Sequence, residues 1–260
     1  MGQHELRTNY IRRAIGLALG ACAITGTAAT APPPQALQEA RRLLDASNAP
    51  GNVDRAIDLL QGAANPGGSA EVEALLAEGY CDRGIALDDR DQAVEALEAA
   101  IAHADRALAL APRNVQVRYW RAVAMLVKAG RLRGPESFGL VRTAVRELEV
   151  VAASEPDLDD AGADRALGKV YLDSPWWFMG DTDKAIEHLE AARRRAPDSL
   201  KNRLYLAEAY AEDGRDADAL RELDGILNTP PRDNPSPSGQ QERDLARRLA
   251  DKIRARQSKP

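Results

Sequence analysis

The sequence predicts an all-α solenoid of helical hairpins, with about eleven helices and no strand, and three observations carry that expectation. Composition is the first: 44% of residues are hydrophobic but only 4% are aromatic, and the apolar share is largely Ala and Leu, which favours helices over sheets. Periodicity is the second. Apolar residues return every three or four positions on both sides of a short glycine turn, as two joined amphipathic helices require. The third is self-similarity, because a pattern that ends at Pro197 returns 34 residues later and ends at Pro231.

In chain order, Gln35 to Ala46 and Val53 to Ala64 read as a degenerate first helix pair around the turn Pro50-Gly51-Asn52, closed by Pro66-Gly67-Gly68. Ala100, Ala104, Ala107 and Pro112 mark the next second helix, and Ala144, Leu148, Val151 and Pro156 repeat its steps of four, three and five. The following unit carries Leu167, Gly168, Tyr171, Ala185, Leu189, Ala192 and Pro197. The most regular one carries Leu206, Ala207, Tyr210, a turn at Asp213-Gly214, then Ala219, Leu223, Ile226 and Pro231. Small residues at Gly168, Ala185, Ala207 and Ala219 let the two helices of a unit cross closely, and each Pro ends a second helix because it cannot continue the hydrogen-bond ladder. The steps from Pro112 to Pro156 and from Pro156 to Pro197 are 44 and 41 residues, so longer turns are expected there. A proline-rich loop from Arg232 to Gly239 then precedes a polar final helix, Glu242 to Arg256, suited to cap the array.

These residues resemble the tetratricopeptide-repeat family over roughly 52 to 231, with Leu167-Gly168-x-x-Tyr171 as the most specific piece. The early Trp of that family is missing from every unit. The resemblance implies a protein-binding scaffold whose first helices face inward, placing Tyr119 and Val123, Arg165 and Lys169, and Lys201 and Glu208 on a partner-facing surface.

At the N-terminus, Arg7, Arg12 and Arg13 precede the apolar run Ala14 to Ala21 and then Cys22, the layout of an export signal. Leu19-Gly20-Ala21-Cys22 resembles a bacterial lipobox, which implies cleavage before Cys22 and lipidation of its sulfur. Cleavage after Ala29-Thr30-Ala31 is the rival and leaves an unanchored chain. The expected organisation is a signal over 1–21, a linker over 22–34 and the helical array over 35–257. Loss of residues 1–21 moves the net charge from -5 to -7, which disfavours nucleic acid as a partner.

No constellation for catalysis, a metal or a cofactor emerges. His103 and His188 are far apart in sequence, and the remaining thiol, Cys81, reads as a small core residue; a Cys81–His103 nucleophile pair is the one enzymatic alternative. Asp181-Thr182-Asp183 lacks the closing Glu of a calcium loop, so Asp181 is expected to cap the helix that follows. The informative insertion is Asp173 to Gly180, which holds Trp176, Trp177 and Phe178: either a lip that contacts a partner or a segment folded back into a groove.

The lipobox, the aromatic turn, Gly180-Asp181 before Lys184 to Leu189, and Asn202 to Glu208 are together similar to the T-component lipoproteins of tripartite ATP-independent periplasmic (TRAP) transporters, mainly over 160–230. That resemblance implies a periplasmic location at the outer membrane and a solute-binding protein as partner. A general envelope-assembly lipoprotein is the other scaffold reading.

Overall fold

The computed structural model describes residues 34–47, 49–63, 68–132, 134–229 and 237–258. Among them lie eleven helices and no strand: α1 (Pro34–Asp45), α2 (Asn52–Gly62), α3 (Ala70–Ala86), α4 (Arg90–Leu110), α5 (Val115–Arg131), α6 (Glu136–Ser154), α7 (Leu158–Asp173), α8 (Thr182–Arg195), α9 (Leu200–Glu212), α10 (Asp216–Leu227) and α11 (Pro237–Gln257). The export signal with His4 and Cys22, the alternative cleavage site, and Pro231 lie outside the described residues.

Local chemistry sets the helix starts. Side chains of Ser69, Asp89, Asn114 and Asp181 each accept a hydrogen bond from the backbone N–H three residues on, at 3.4, 2.9, 3.0 and 3.1 Å, so four first turns are capped in the same way. The expected role of Asp181 is thereby met. Pro112, Pro156 and Pro197 each stand two residues beyond the end of α4, α6 and α8. Gly214 takes φ 78° at the end of α9, where Arg215 N–H donates back to Tyr210 O at 2.8 Å, a left-handed stop that suits a residue without Cβ.

The chain divides into two compact units, residues 1–147 and 148–260, with the boundary inside α6. In the first unit, α1, α2 and α3 bury one apolar cluster that includes Leu43, Leu44, Ile57, Leu60, Leu75 and Leu76, and α3 also packs on α4 and α5. Cys81 is fully buried in α3, as a small core residue should be. In the second unit α7 packs on α8, α8 on α9, α9 on α10, and α11 on both α9 and α10. Leu167, Ala185, Leu189, Ala192, Leu206, Ala207, Ala219, Leu223 and Ile226, all read as repeat positions, are at most 2% exposed, and Tyr210 is 8% exposed.

Gly168 is the close-approach point of α7 and α8. A Cβ there would lie 2.5 Å from Leu189 Cγ and 3.1 Å from Ala185 O. Gly84 has the same relation to Leu97 and Ala93, at 2.6 and 3.1 Å, so α3 and α4 cross in the same way although no Leu-Gly-x-x-Tyr signature marks them.

Two expectations are corrected. The 44-residue unit holds its extra length in helix: α5 and α6 run 17 and 19 residues where α9 and α10 run 13 and 12, while the turn between α5 and α6 is short. Neither Gly130 nor Gly139 breaks these helices, since an isolated glycine lowers helix propensity without stopping it. The 41-residue unit does carry the longer turn, residues 174–181. The last helix begins at Pro237 rather than Glu242, because proline fits the first helical position, where its missing N–H has no partner to lose.

Candidate functional site: the aromatic loop between α7 and α8

Residues 174–181 leave α7 when Ser174 N–H makes the last bond to Val170 O at 3.1 Å. The chain then closes on itself. The N–H groups of Phe178, Met179 and Gly180 all donate to Pro175 O at 2.9, 3.2 and 2.9 Å, and Asp181 N–H donates to Tyr171 O at 3.0 Å. Gly180 makes the closure possible: a Cβ there would collide with Ser174 O and lie 2.8 Å from Pro175 C and 2.9 Å from Trp176 N.

A loop so tied has little backbone freedom, and its two tryptophans stand in water. Trp176 is 87% exposed and Trp177 59%, whereas Phe178 is half-buried beside Trp177, with ring centroids 6.3 Å apart. Two such large apolar groups side by side stand out, since the other large exposed apolar groups among the described residues, Leu59, Leu110 and Val150, are scattered singly. The Trp176 ring does not fill a groove between helices.

The other residues expected on a partner-facing surface fall into different places. Tyr119 and Val123 are 1% and 3% exposed; Tyr119 packs edge-on to Trp120, and both are core. Because α5 packs on α3 and α4 together, its first-helix position does not leave these side chains open. Lys169 and Glu208 are brought together, at 2.9 Å, and Lys169 also meets Asp173 at 3.1 Å and lies 4.9 Å from the Tyr205 ring centre. Burial opposes the charge of Lys169, but the two carboxylates outweigh it and hold its pKa above the ordinary value.

Arg165 and Lys201 belong to a buried polar cluster that the sequence did not disclose. Arg165 bridges α7 and α9, donating to Asp159 Oδ2 at 2.6 Å, to the Asp159 and Asp160 carbonyls at 3.0 and 3.3 Å, and to Asn202 Oδ1 at 3.2 Å. Asn202 in turn donates to Asp160 O and Ala192 O at 2.9 and 3.0 Å. These bonds hold Asp159, Asp160 and Ala161 in the left-handed region, at φ 51°, 54° and 59°. From α11, Glu242 enters the same neighbourhood at 4% exposure.

Burial pushes the Glu242 carboxyl up to about 7 against the pull of Lys201, Arg165 and Arg243. Burial and the Arg165 charge bring Lys201 down to about 8 against Asp159, Glu242 and Asp160. In the fold Glu242 holds its proton between about pH 4.5 and 7 while the unfolded chain has lost it, so its contribution is present at acid pH and disappears as pH rises through 7. For Lys201 the unfolded chain holds the extra proton between about 8 and 10.5, so stability returns as pH rises through that window. Denaturant midpoints of the wild type and Glu242→Gln should therefore diverge as pH rises from about 5 to 7.5, with the variant gaining; parallel curves would contradict this assignment.

The histidines are occupied elsewhere. His103 Nδ1 meets Glu73 Oε2 at 2.7 Å and its ring stacks on Tyr80, and His188 Nδ1 meets Asp164 Oδ1 at 2.9 Å and stacks on Tyr171. Among the described residues no group of three or more His, Cys, Asp or Glu is placed to hold a metal, and no helix is long and apolar enough to cross a membrane.

A family model for the tetratricopeptide repeat matches residues 179–236. No curated protein matches the chain significantly. Among solved structures, a thermophilic tetratricopeptide-repeat protein of Thermus thermophilus aligns over 83% of this chain and 97% of its own at 23% identity, with a TM-score of 0.60. A structure of MamA from AMB-1 aligns over 73% of this chain and 95% of its own at 23% identity, with a TM-score of 0.45. The all-α fold is thus that of tetratricopeptide-repeat proteins.

Proposed function

We propose that the chain is a non-enzymatic scaffold that binds protein partners, with the Trp176–Trp177 loop as a contact point. The observation that carries this reading is the pairing of a closed, glycine-dependent backbone with two tryptophans held in water. A preorganised aromatic group has little conformational freedom to lose on docking and much area to bury. The tetratricopeptide fold is of the kind that assembles proteins.

As a finer proposal, the scaffold works in the periplasm, held at the outer membrane by a lipid on Cys22. The resemblance of residues 160–230 to T-component lipoproteins makes a periplasmic solute-binding protein the first partner to test. Labelling cells with a palmitate analogue should mark the wild type and not Cys22→Ser; equal labelling would remove the anchor.

The scaffold reading itself predicts that Trp176→Ala with Trp177→Ala changes stability by about 0.5 kcal/mol or less, since neither ring is core, yet loses partners that co-purify with the wild type from source cells. A fall in melting temperature of many degrees with partners retained would make the loop a packing element.

A further inference from the structure

Four of the five described tyrosines carry a cation from this chain over their rings: Arg83 at 5.4 Å on Tyr80, Lys184 at 5.5 Å on Tyr171, Lys169 at 4.9 Å on Tyr205 and Arg215 at 4.2 Å on Tyr210. The fifth, Tyr119, is core. Among the described residues, each tyrosine ring other than Tyr119 thus carries a guanidinium or ammonium, the group that the negative face of an aromatic ring attracts. Trp176 breaks the pattern. Its indole is the strongest such acceptor among the side chains, it is 87% exposed, and among the described residues no cation lies over it.

Its surroundings carry the matching charge. From Lys169 to Glu187 the chain has four carboxylates, Asp173, Asp181, Asp183 and Glu187, against two lysines. Both lysines are already engaged, Lys169 with Asp173 and Glu208, and Lys184 with Asp181 and the Tyr171 ring. Asp173 and Asp181 flank the two ends of the closed loop, and Asp183 is exposed in the first turn of α8. The arginines of α8, at 193 to 195, stand at its other end, about 15 Å along the axis at 1.5 Å per residue.

We infer that the Trp176 loop docks an arginine- or lysine-bearing segment of a protein partner, whose cation stacks on the Trp176 indole while Asp183 and Glu187, exposed and outside the ion pairs of Asp173 and Asp181, supply the opposing charge. This rests on the scaffold reading and adds the partner's chemistry to it. The acidic rim sets the loop against an anionic bilayer or nucleic acid, since either would bring like charge to it.

Two labelled peptides serve as probes, one alternating arginine with glycine and one alternating glutamate with glycine, titrated at low ionic strength into the full-length protein. The wild type should bind the arginine peptide about tenfold more tightly than the glutamate peptide. Trp176→Ala should weaken the arginine peptide at least about threefold, Trp176→Phe should retain most of the binding, and Asp183→Lys should weaken it with unchanged melting temperature. Equal affinity for the two peptides, or no effect of Trp176→Ala, overturns the inference. So does a blue shift of tryptophan emission on phosphatidylcholine vesicles without preference for the arginine peptide, which would reassign the loop to a bilayer surface. If native partners still co-purify in a loop-dependent way while the arginine peptide shows no advantage, the scaffold reading stands and only the basic-partner inference falls. If the peptide preference holds while co-purification ignores the loop, it is the scaffold reading that fails.

Discussion

Replacing Arg165 by Ala should destabilise the 148–260 unit by about 3–5 kcal/mol, the cost of removing one partner from a buried ion pair and leaving the other charge behind. The side chains of Arg165 and Asp159 are 7% and 5% exposed, so water offers the orphaned carboxylate little relief. The guanidinium also gathers the Asp159 and Asp160 carbonyls and Asn202, the groups that keep three successive residues left-handed. Arg165→Lys should recover only part of the loss, because one ammonium cannot present the planar fork that meets several acceptors at once. Adding Asp159→Asn to Arg165→Ala should restore some stability by removing the buried charge. A denaturant midpoint for Arg165→Ala within about 1 kcal/mol of the wild type would show that the cluster contributes little.

Leu189→Ala should cost about 2–5 kcal/mol, toward the upper end of that range. Leu189 is fully buried and rests on Gly168, and the other positions of this crossing are Ala185 and Ala192. Leu97 occupies the same position against Gly84 and should behave alike in the first unit. A loss below about 1 kcal/mol for either variant would mean that α7 and α8, or α3 and α4, can collapse onto the cavity.

These effects divide along the line between what periodic patterns carry and what they miss. Ala185, Leu189 and Ala192 were legible because a helix face repeats and because proline and glycine punctuate it. Gly84 was not, since its tyrosine, Tyr80, precedes it by four residues instead of following by three, although the packing around it is the same. Asp159, Asn202 and Glu242 were missed for a different reason: a polar residue in a helical pattern reads as solvent-facing, and only tertiary structure gathers three of them around Arg165. Tyr119 shows the converse error, an aromatic side chain assigned to an open face in a helix that has two neighbours to pack against. At the aromatic loop the sequence allowed both lip and filler, and the exposure of the Trp176 ring, which no residue pattern encodes, speaks against filler at that position.

Cys81 gives the molecule its own clock. Its sulfur lies fully buried in α3, and in a Cys22→Ser chain it is the one thiol present. A thiol reagent in water cannot reach it while the helices around it stay together, so the rate of labelling under native conditions measures how often the neighbourhood of α3 opens.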